Sequence, residues 1–244
     1  MNNFELAAKC IEVALKYKTL YVYGGIGYRL DKAGKDRALA AYAYNRRWDR
    51  KPMIMAATAD TWAFDCVNLI KAILWGWKGD MNAIYGGAKY CSNGVPDIGA
   101  DATIGICAAV NGDFRQLEIG EAVWTDGHIG VYIGNGLAVE CSPKWANGVQ
   151  ITAVENMGKK KGYNNRTWKK HGKLPWVKYY TKGDIDFDGK VTAADARKAL
   201  RAAVDLDNLN DAEKLAADMD GDGEITAADS REILRKSVGL EDGK

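Results

Sequence analysis

Long apolar runs are missing from this 244-residue chain: no stretch approaches the 18 or so consecutive apolar residues that a membrane-crossing helix requires. Helical membrane spans are therefore not expected. The amino terminus, Met1-Asn2-Asn3-Phe4-Glu5, has no basic leader followed by an apolar segment, so nothing there reads as a secretory signal. Cysteine occurs five times (Cys10, Cys66, Cys91, Cys107, Cys141), without the paired spacing of a metal site and in a chain too large to need disulfide staples. An odd count leaves at least one thiol free. Histidine is scarcer still, with only two residues. What is present, 47% hydrophobic and 27% charged residues, excludes a disordered or collagen-like chain and predicts one or two globular domains.

The small net charge of +2 hides an asymmetry. Residues 183 to 244 hold 9 Lys/Arg against 16 Asp/Glu, net −7, and residues 1 to 182 hold 25 against 16, net +9. All eight Trp, both His and all five Cys precede residue 183. These shifts predict a boundary near Tyr180 to Gly183, with domains at 1–180 and 183–244. In the first, amphipathic periodicity predicts a helix over Phe4 to Tyr17, and an apolar-aromatic stretch Leu20-Tyr-Val-Tyr23 stops at Gly24-Gly25. A second helix is expected from Cys66 to Trp77. Strands follow at Glu121 to Trp124, His128 to Ile133, Leu137 to Cys141 and Val149 to Val154, the middle two joined by Gly134-Asn135-Gly136 as a hairpin. Helices first and an antiparallel sheet later make the fold class α+β. The second domain should be small and all-α.

With two histidines, the search for a nucleophile and its imidazole base is short. Cys66 follows Asp65 at a helix start, where unpaired N–H groups and the helix dipole should favour the thiolate. His128 opens a strand, from which it would take the thiol proton and return it to a leaving amine. The hairpin returns the chain through Glu140, whose carboxylate would fix the imidazole tautomer. Taken singly, each of these residues also has a structural explanation: a core cysteine, a strand histidine, a solvated glutamate.

The segments Leu20-Tyr-Val-Tyr-Gly-Gly25, Phe64-Asp-Cys-Val-Asn-Leu-Ile-Lys71 and Gly127-His-Ile-Gly-Val-Tyr-Ile-Gly-Asn-Gly136 together resemble the NlpC family of papain-like cell-wall cysteine peptidases. The resemblance covers about residues 4 to 178. It implies a papain-like fold, Cys66 as nucleophile, His128 as base, Glu140 as orienter, and Tyr21 as the tyrosine beside the nucleophile. Two positions depart from the family: Val67-Asn68 stands where Ser-Gly is usual, and Glu140 where a histidine is most common. The first leaves the scissile bond open. The implied substrate is bacterial peptidoglycan, cut at an amide of the stem peptide or between muramic acid and its first alanine. Residues 140–152 and 168–176 further resemble bacteriophage and prophage endolysins. The basic run Lys159 to Lys173 raises nucleic acid as a partner, but a solvated loop explains it more simply, and His171 within it reads as a surface or structural residue.

In the second domain, Asp184-Ile-Asp-Phe-Asp-Gly-Lys-Val-Thr-Ala-Ala-Asp195 recurs as Asp218-Met-Asp-Gly-Asp-Gly-Glu-Ile-Thr-Ala-Ala-Asp229. Aspartates at positions 1, 3 and 5, glycine at 6, threonine at 9 and aspartate at 12 give the spacing of an EF-hand-type calcium loop. Asp184, Asp186, Asp188 and Asp195 would supply carboxylates, Lys190 its carbonyl, and Thr192 a hydroxyl or bridging water. Asp218, Asp220, Asp222, Glu224, Thr226 and Asp229 repeat the set, so two structural calcium ions are expected. Each copy reads as a loop followed by a helix. The pair resembles a dockerin, a module that plugs into cohesin domains, and that resemblance implies partner contacts at Ala193-Ala194 and Ala227-Ala228.

The expected function is a peptidoglycan hydrolase of endolysin type, acting from the host cytoplasm on the cell wall after holin-type release. The alternatives are a secreted, cohesin-docked cysteine peptidase and an inactive, calcium-dependent wall-binding protein. Self-association through the second domain is also open.

Overall fold

The computed structural model describes residues 1–240. Helix α1 spans Asn3–Lys16 and starts with a reciprocal cap. The Asn2 side chain accepts from the Glu5 amide at 2.7 Å, and the Glu5 carboxylate accepts from the Asn2 amide at 2.7 Å. Then come β1 (Thr19–Tyr21), β2 (Ile26–Arg29), α2 (Lys32–Ala41), α3 (Lys51–Ala56), β3 (Trp62–Phe64) and α4 (Cys66–Leu74). The strands pair in the order β1-β3-β2, with β1 parallel to β3. Helix α5 (Ala100–Gly105) leads into β4 (Ala108–Asn111), β5 (Ala122–Thr125), β6 (His128–Gly134), β7 (Leu137–Ser142), β8 (Gly148–Val154), β9 (Asn165–Arg166) and β10 (Lys170–Lys173). These form one seven-stranded sheet in the order β4-β10-β5-β6-β7-β8-β9.

The fold is thus α+β with a mixed sheet. An antiparallel sheet was expected, and β9 departs from it by pairing parallel to β8. Helices α1 and α4 pack against one sheet face. There Leu6, Cys10 and Val13 meet Leu69, Ile70 and Ile73 over Ile129, Val131 and Val139, all buried. All nine residues of α4 are buried, which explains why its sequence lacks a polar stripe. The helix ends at Leu74 rather than Trp77, because Gly76 takes a left-handed turn (φ 93°) that carries Trp77 back into the core. The opposite sheet face holds a smaller cluster: Phe114, Val123, Tyr132, Ala138, Val154 and Trp168.

Residues 174–182 cross the start of the chain. Asn3 N–H donates to the Lys178 carbonyl at 3.0 Å, and the Asn3 side chain bridges the Ile119 carbonyl, the Tyr180 carbonyl and the Tyr180 amide. Beyond them lie α6 (Ala193–Ala203), α7 (Asp211–Ala217) and α8 (Ala227–Ser237), around a core of Ile185, Ala196, Ala199, Leu209, Ala217 and Ile233. Helix α7 was not expected. It makes the second unit a helix-loop-helix, and its signal is the capping box Asn210/Glu213. Its Ala212 and Ala216 bury against Phe4, so the two domains share an apolar seam.

Leu69 is fully buried where α4 meets the sheet core. Leu69→Ala is expected to lower unfolding free energy by about 2–5 kcal/mol. Urea unfolding followed by tryptophan fluorescence measures it, and a loss under 1 kcal/mol would contradict this packing.

Candidate active site and calcium loops

Asp65 caps α4 and fixes the approach to Cys66. Its carboxylate accepts from the Asn68 amide at 2.8 Å, the Asn68 side chain at 2.7 Å and the Gly24 amide at 2.9 Å. The Gly24-Gly25 turn is thereby tied to the first turn of α4. Gly25 packs against the Ala63–Phe64 backbone so tightly that a Cβ would sit 2.8 Å from the Ala63 carbonyl carbon. Cys66 is buried, with 7% exposure, and its Sγ lies 4.0 Å from the Gly127 carbonyl oxygen. A thiolate-favouring helix start was expected. Instead burial, reinforced by the Asp65 carboxylate, pushes the thiol up to about 12, and the nearby Ile129 and Val67 N–H groups only partly offset this. At neutral pH this favours the neutral thiol.

A cleft of about 400 Å³ opens beside it, with Tyr21, Tyr23, Tyr42, Lys71, Asp97 and Cys66 among its lining residues. Tyr21 stands beside Cys66, as the resemblance implied; burial raises its phenol, and the adjacent Cys66 and Asp65 add to the rise. Lys71, buried on α4, pairs with Asp97 and donates to the Ile98 carbonyl at 3.1 Å.

His128 and Glu140 meet as the hairpin register predicts. Gly130 pairs with Glu140, which makes Glu140 the diagonal neighbour of His128 on one face. His128 Nε2 lies 2.7 Å from Glu140 Oε2, leaving Nδ1 as the nitrogen available to a substrate or thiol. The imidazole stacks on Trp168 with centroids 5.6 Å apart and an angle of 9° between planes. Gly130 makes that stack possible: a Cβ there would lie 2.7 Å from the Val139 carbonyl oxygen and 3.2 Å from the Trp168 ring.

Glu140 is fully buried. It also accepts from Thr152 Oγ1 at 2.8 Å and Arg166 Nε at 2.8 Å. Burial alone would raise its carboxyl, but the hydrogen bonds from His128 and Arg166 outweigh burial and hold it below the usual glutamate range. Thr152 and Arg166 were not singled out from sequence, since residues 12 and 26 positions away carry no local signal. His128 and Glu140 stand on the sheet face that carries Trp168, whereas α4 packs on the other. Cys66 therefore meets β6 at its start, and among the described residues no hydrogen bond joins Cys66 to His128. His171 is structural: it is buried and paired with Glu121 and the Asp113 carbonyl.

In the second domain, carboxylate oxygens of Asp184, Asp186 and Asp188 lie within 4.8 Å of one another, and so do those of Asp218, Asp220 and Asp222. Backbone amides aim them inward. Gly189 N–H donates to Asp184 at 2.9 Å and Lys190 N–H to Asp188 at 2.8 Å, and Gly223 and Glu224 repeat this on Asp218 and Asp222 at 3.0 and 2.8 Å. Such all-oxygen clusters fit a hard divalent cation. Asp195 and Asp229 are buried at the third positions of α6 and α8 and complete their capping boxes, accepting from the amides of the N-caps Thr192 and Thr226 at 2.9 and 2.8 Å. They also accept from Ile185 and Met219 N–H, so each closes its loop from the far end. Among the described residues each loop's close cluster therefore has three aspartates, with the fourth held by its cap.

Residues 182–236 match the family model of the dockerin type I domain. The two acidic clusters lie within this dockerin-like domain, one calcium site per loop. No curated protein matches the chain. Residues 1–181 lie outside the match. No helix among the described residues is long and apolar enough to cross a membrane.

Because the folded Glu140 carboxyl is depressed, its stabilisation is complete above the unfolded glutamate pKa of about 4.3 and is lost as pH falls through the lower folded value. Acidification below about pH 4 should lower the melting temperature of the wild type, and Glu140→Gln should lack that component. Equal acid sensitivity in both proteins would contradict the assignment. For the loops, Asp184→Ala and Asp218→Ala should each reduce the calcium stoichiometry from two to one in titration calorimetry. Retention of both ions by either variant would rule out its loop.

Proposed function

We propose that residues 1–180 form a cysteine hydrolase acting on an amide bond of peptidoglycan stem peptide, carried on a calcium-loaded dockerin-like module. The observation that carries this reading is the Glu140–His128 hydrogen bond, with the imidazole stacked on Trp168 and His128 directly after Gly127, which lines the same cleft as Cys66. In this reading His128 takes the Cys66 proton, because a thiol held near 12 does not ionise by itself at neutral pH. The sulfur then attacks the substrate carbonyl carbon, the C–N bond breaks, and His128 returns the proton to the leaving amine. Water hydrolyses the resulting thioester. Glu140 stabilises the imidazolium and fixes the ring, while Arg166 and Thr152 hold Glu140.

The dockerin match supports a partner-borne enzyme over a freely diffusing phage lysin. Ala193-Ala194 and Ala227-Ala228 are exposed at equivalent helix starts, with Leu200, Val204, Leu234 and Val238 exposed along the same two helices. This repeated apolar surface suits a cohesin-like partner that accepts either copy. A second reading, a calcium-dependent binding protein without activity, is favoured by the lack of a Cys66–His128 hydrogen bond among the described residues.

Digestion of purified peptidoglycan with mass spectrometry of the fragments separates the two. The hydrolase reading expects new peptide termini from the wild type and loss of at least about a thousandfold in Cys66→Ala and His128→Ala, with circular dichroism unchanged. Glu140→Gln should retain part of the activity. Iodoacetamide should inhibit, faster at alkaline pH. No fragments from the wild type, or full activity in Cys66→Ala, would overturn the reading.

A further inference from the structure

Both calcium loops face the first domain with the residue at position four, the first through a ring contact and the second by proximity. Phe187 lies between Asp186 and Asp188, and Gly221 lies between Asp220 and Asp222. Phe187 has a left-handed backbone (φ 59°) that turns its ring onto Phe4 at 5.9 Å and Tyr180 at 5.5 Å. Phe4 is buried there with Ala212 and Ala216 of α7. Gly221, also left-handed (φ 80°), lies beside the β6–β7 turn, where a Cβ would make ordinary van der Waals contact, 3.6 Å from the Asn135 Cβ. That turn joins the strands bearing His128 and Glu140. Asn135 is held from the other side by Lys160, whose ammonium donates to its Oδ1 at 2.9 Å.

From this we infer that the two calcium loops form a clasp fixing the carboxy-terminal module to α1 and to the β6–β7 hairpin, so that calcium governs the order of the hairpin carrying His128 and Glu140. Position four has no free choice of conformation while its neighbours at three and five converge on an ion. With the ion removed, three carboxylates within 4.8 Å repel one another, and the loop that presents Phe187 or Gly221 opens. Ligand that binds only the closed loops stabilises everything packed against them. The clasp stands on packing alone; its regulatory meaning rests on the hydrolase reading above.

Amide hydrogen exchange of the full chain, read by mass spectrometry in calcium and in EDTA, tests the clasp. EDTA should accelerate exchange in the loops and also, by about tenfold or more, in segments 3–12 and 130–140. Phe187→Ala and Ala216→Lys should each still bind two calcium ions by calorimetry, yet show fast exchange over 3–12 even in calcium. Acceleration confined to residues 183–240 would overturn the inference, as would wild-type protection of 3–12 in both calcium-loaded variants. Calcium-dependent exchange in a chain that hydrolyses nothing would support the clasp and count against the hydrolase reading alone.

Discussion

The Asp65 carboxylate is the point on which the first domain turns. It caps α4, receives the Gly24 amide, and orients the Asn68 side chain, so one buried charge joins the aromatic turn after β1 to the helix that presents Cys66. Its position has an electrostatic cost, because the same charge helps hold the neighbouring thiol neutral. A positive helix end and a negative cap act on Cys66 in opposite directions, and burial decides the contest in favour of the thiol. Under the proposed function, activation would then have to come from a base. Glu140 is the counterpart of Asp65 on the opposite face of the sheet: a buried carboxylate whose three donors all come from elsewhere on the sheet.

Much of this arrangement was legible in the residues. Glycine-punctuated β-type segments located β5 to β8 within a residue or two, and the Gly134-Asn135-Gly136 turn set the register that brings Glu140 to His128. The repeated aspartate spacing identified both acidic loops. What escaped was non-local. Arg166 and Thr152 become partners of Glu140 only once β7, β8 and β9 are side by side. The thiol's environment was misjudged for the same reason, since helix position is local and burial is not. Helix α7 carries its capping box openly, yet its short Ala-rich run lacks the periodicity that identified α1.

The two halves of the chain differ in charge sign, and their seam is nonetheless apolar. Phe4, Ala212 and Ala216 bury against each other, and no ion pair is needed to hold them. Apolar burial of this kind is not screened by salt, so the seam should persist at ionic strengths that screen exposed charge pairs.

The crossing of residues 174–182 over the start of the chain bears on how far the cleft can travel from an anchored module. Asn3 ties this segment at Lys178 and Tyr180 and to the Ile119 carbonyl of the sheet domain, and it joins the domains as a strut, not a tether. A flexible linker lets a catalytic unit sweep a volume that grows with linker length, giving every substrate within reach an effective concentration. A strut removes that volume. Under the proposed function, the search for substrate would then fall to the flexibility of whatever holds the module, and the cleft keeps one direction relative to that module.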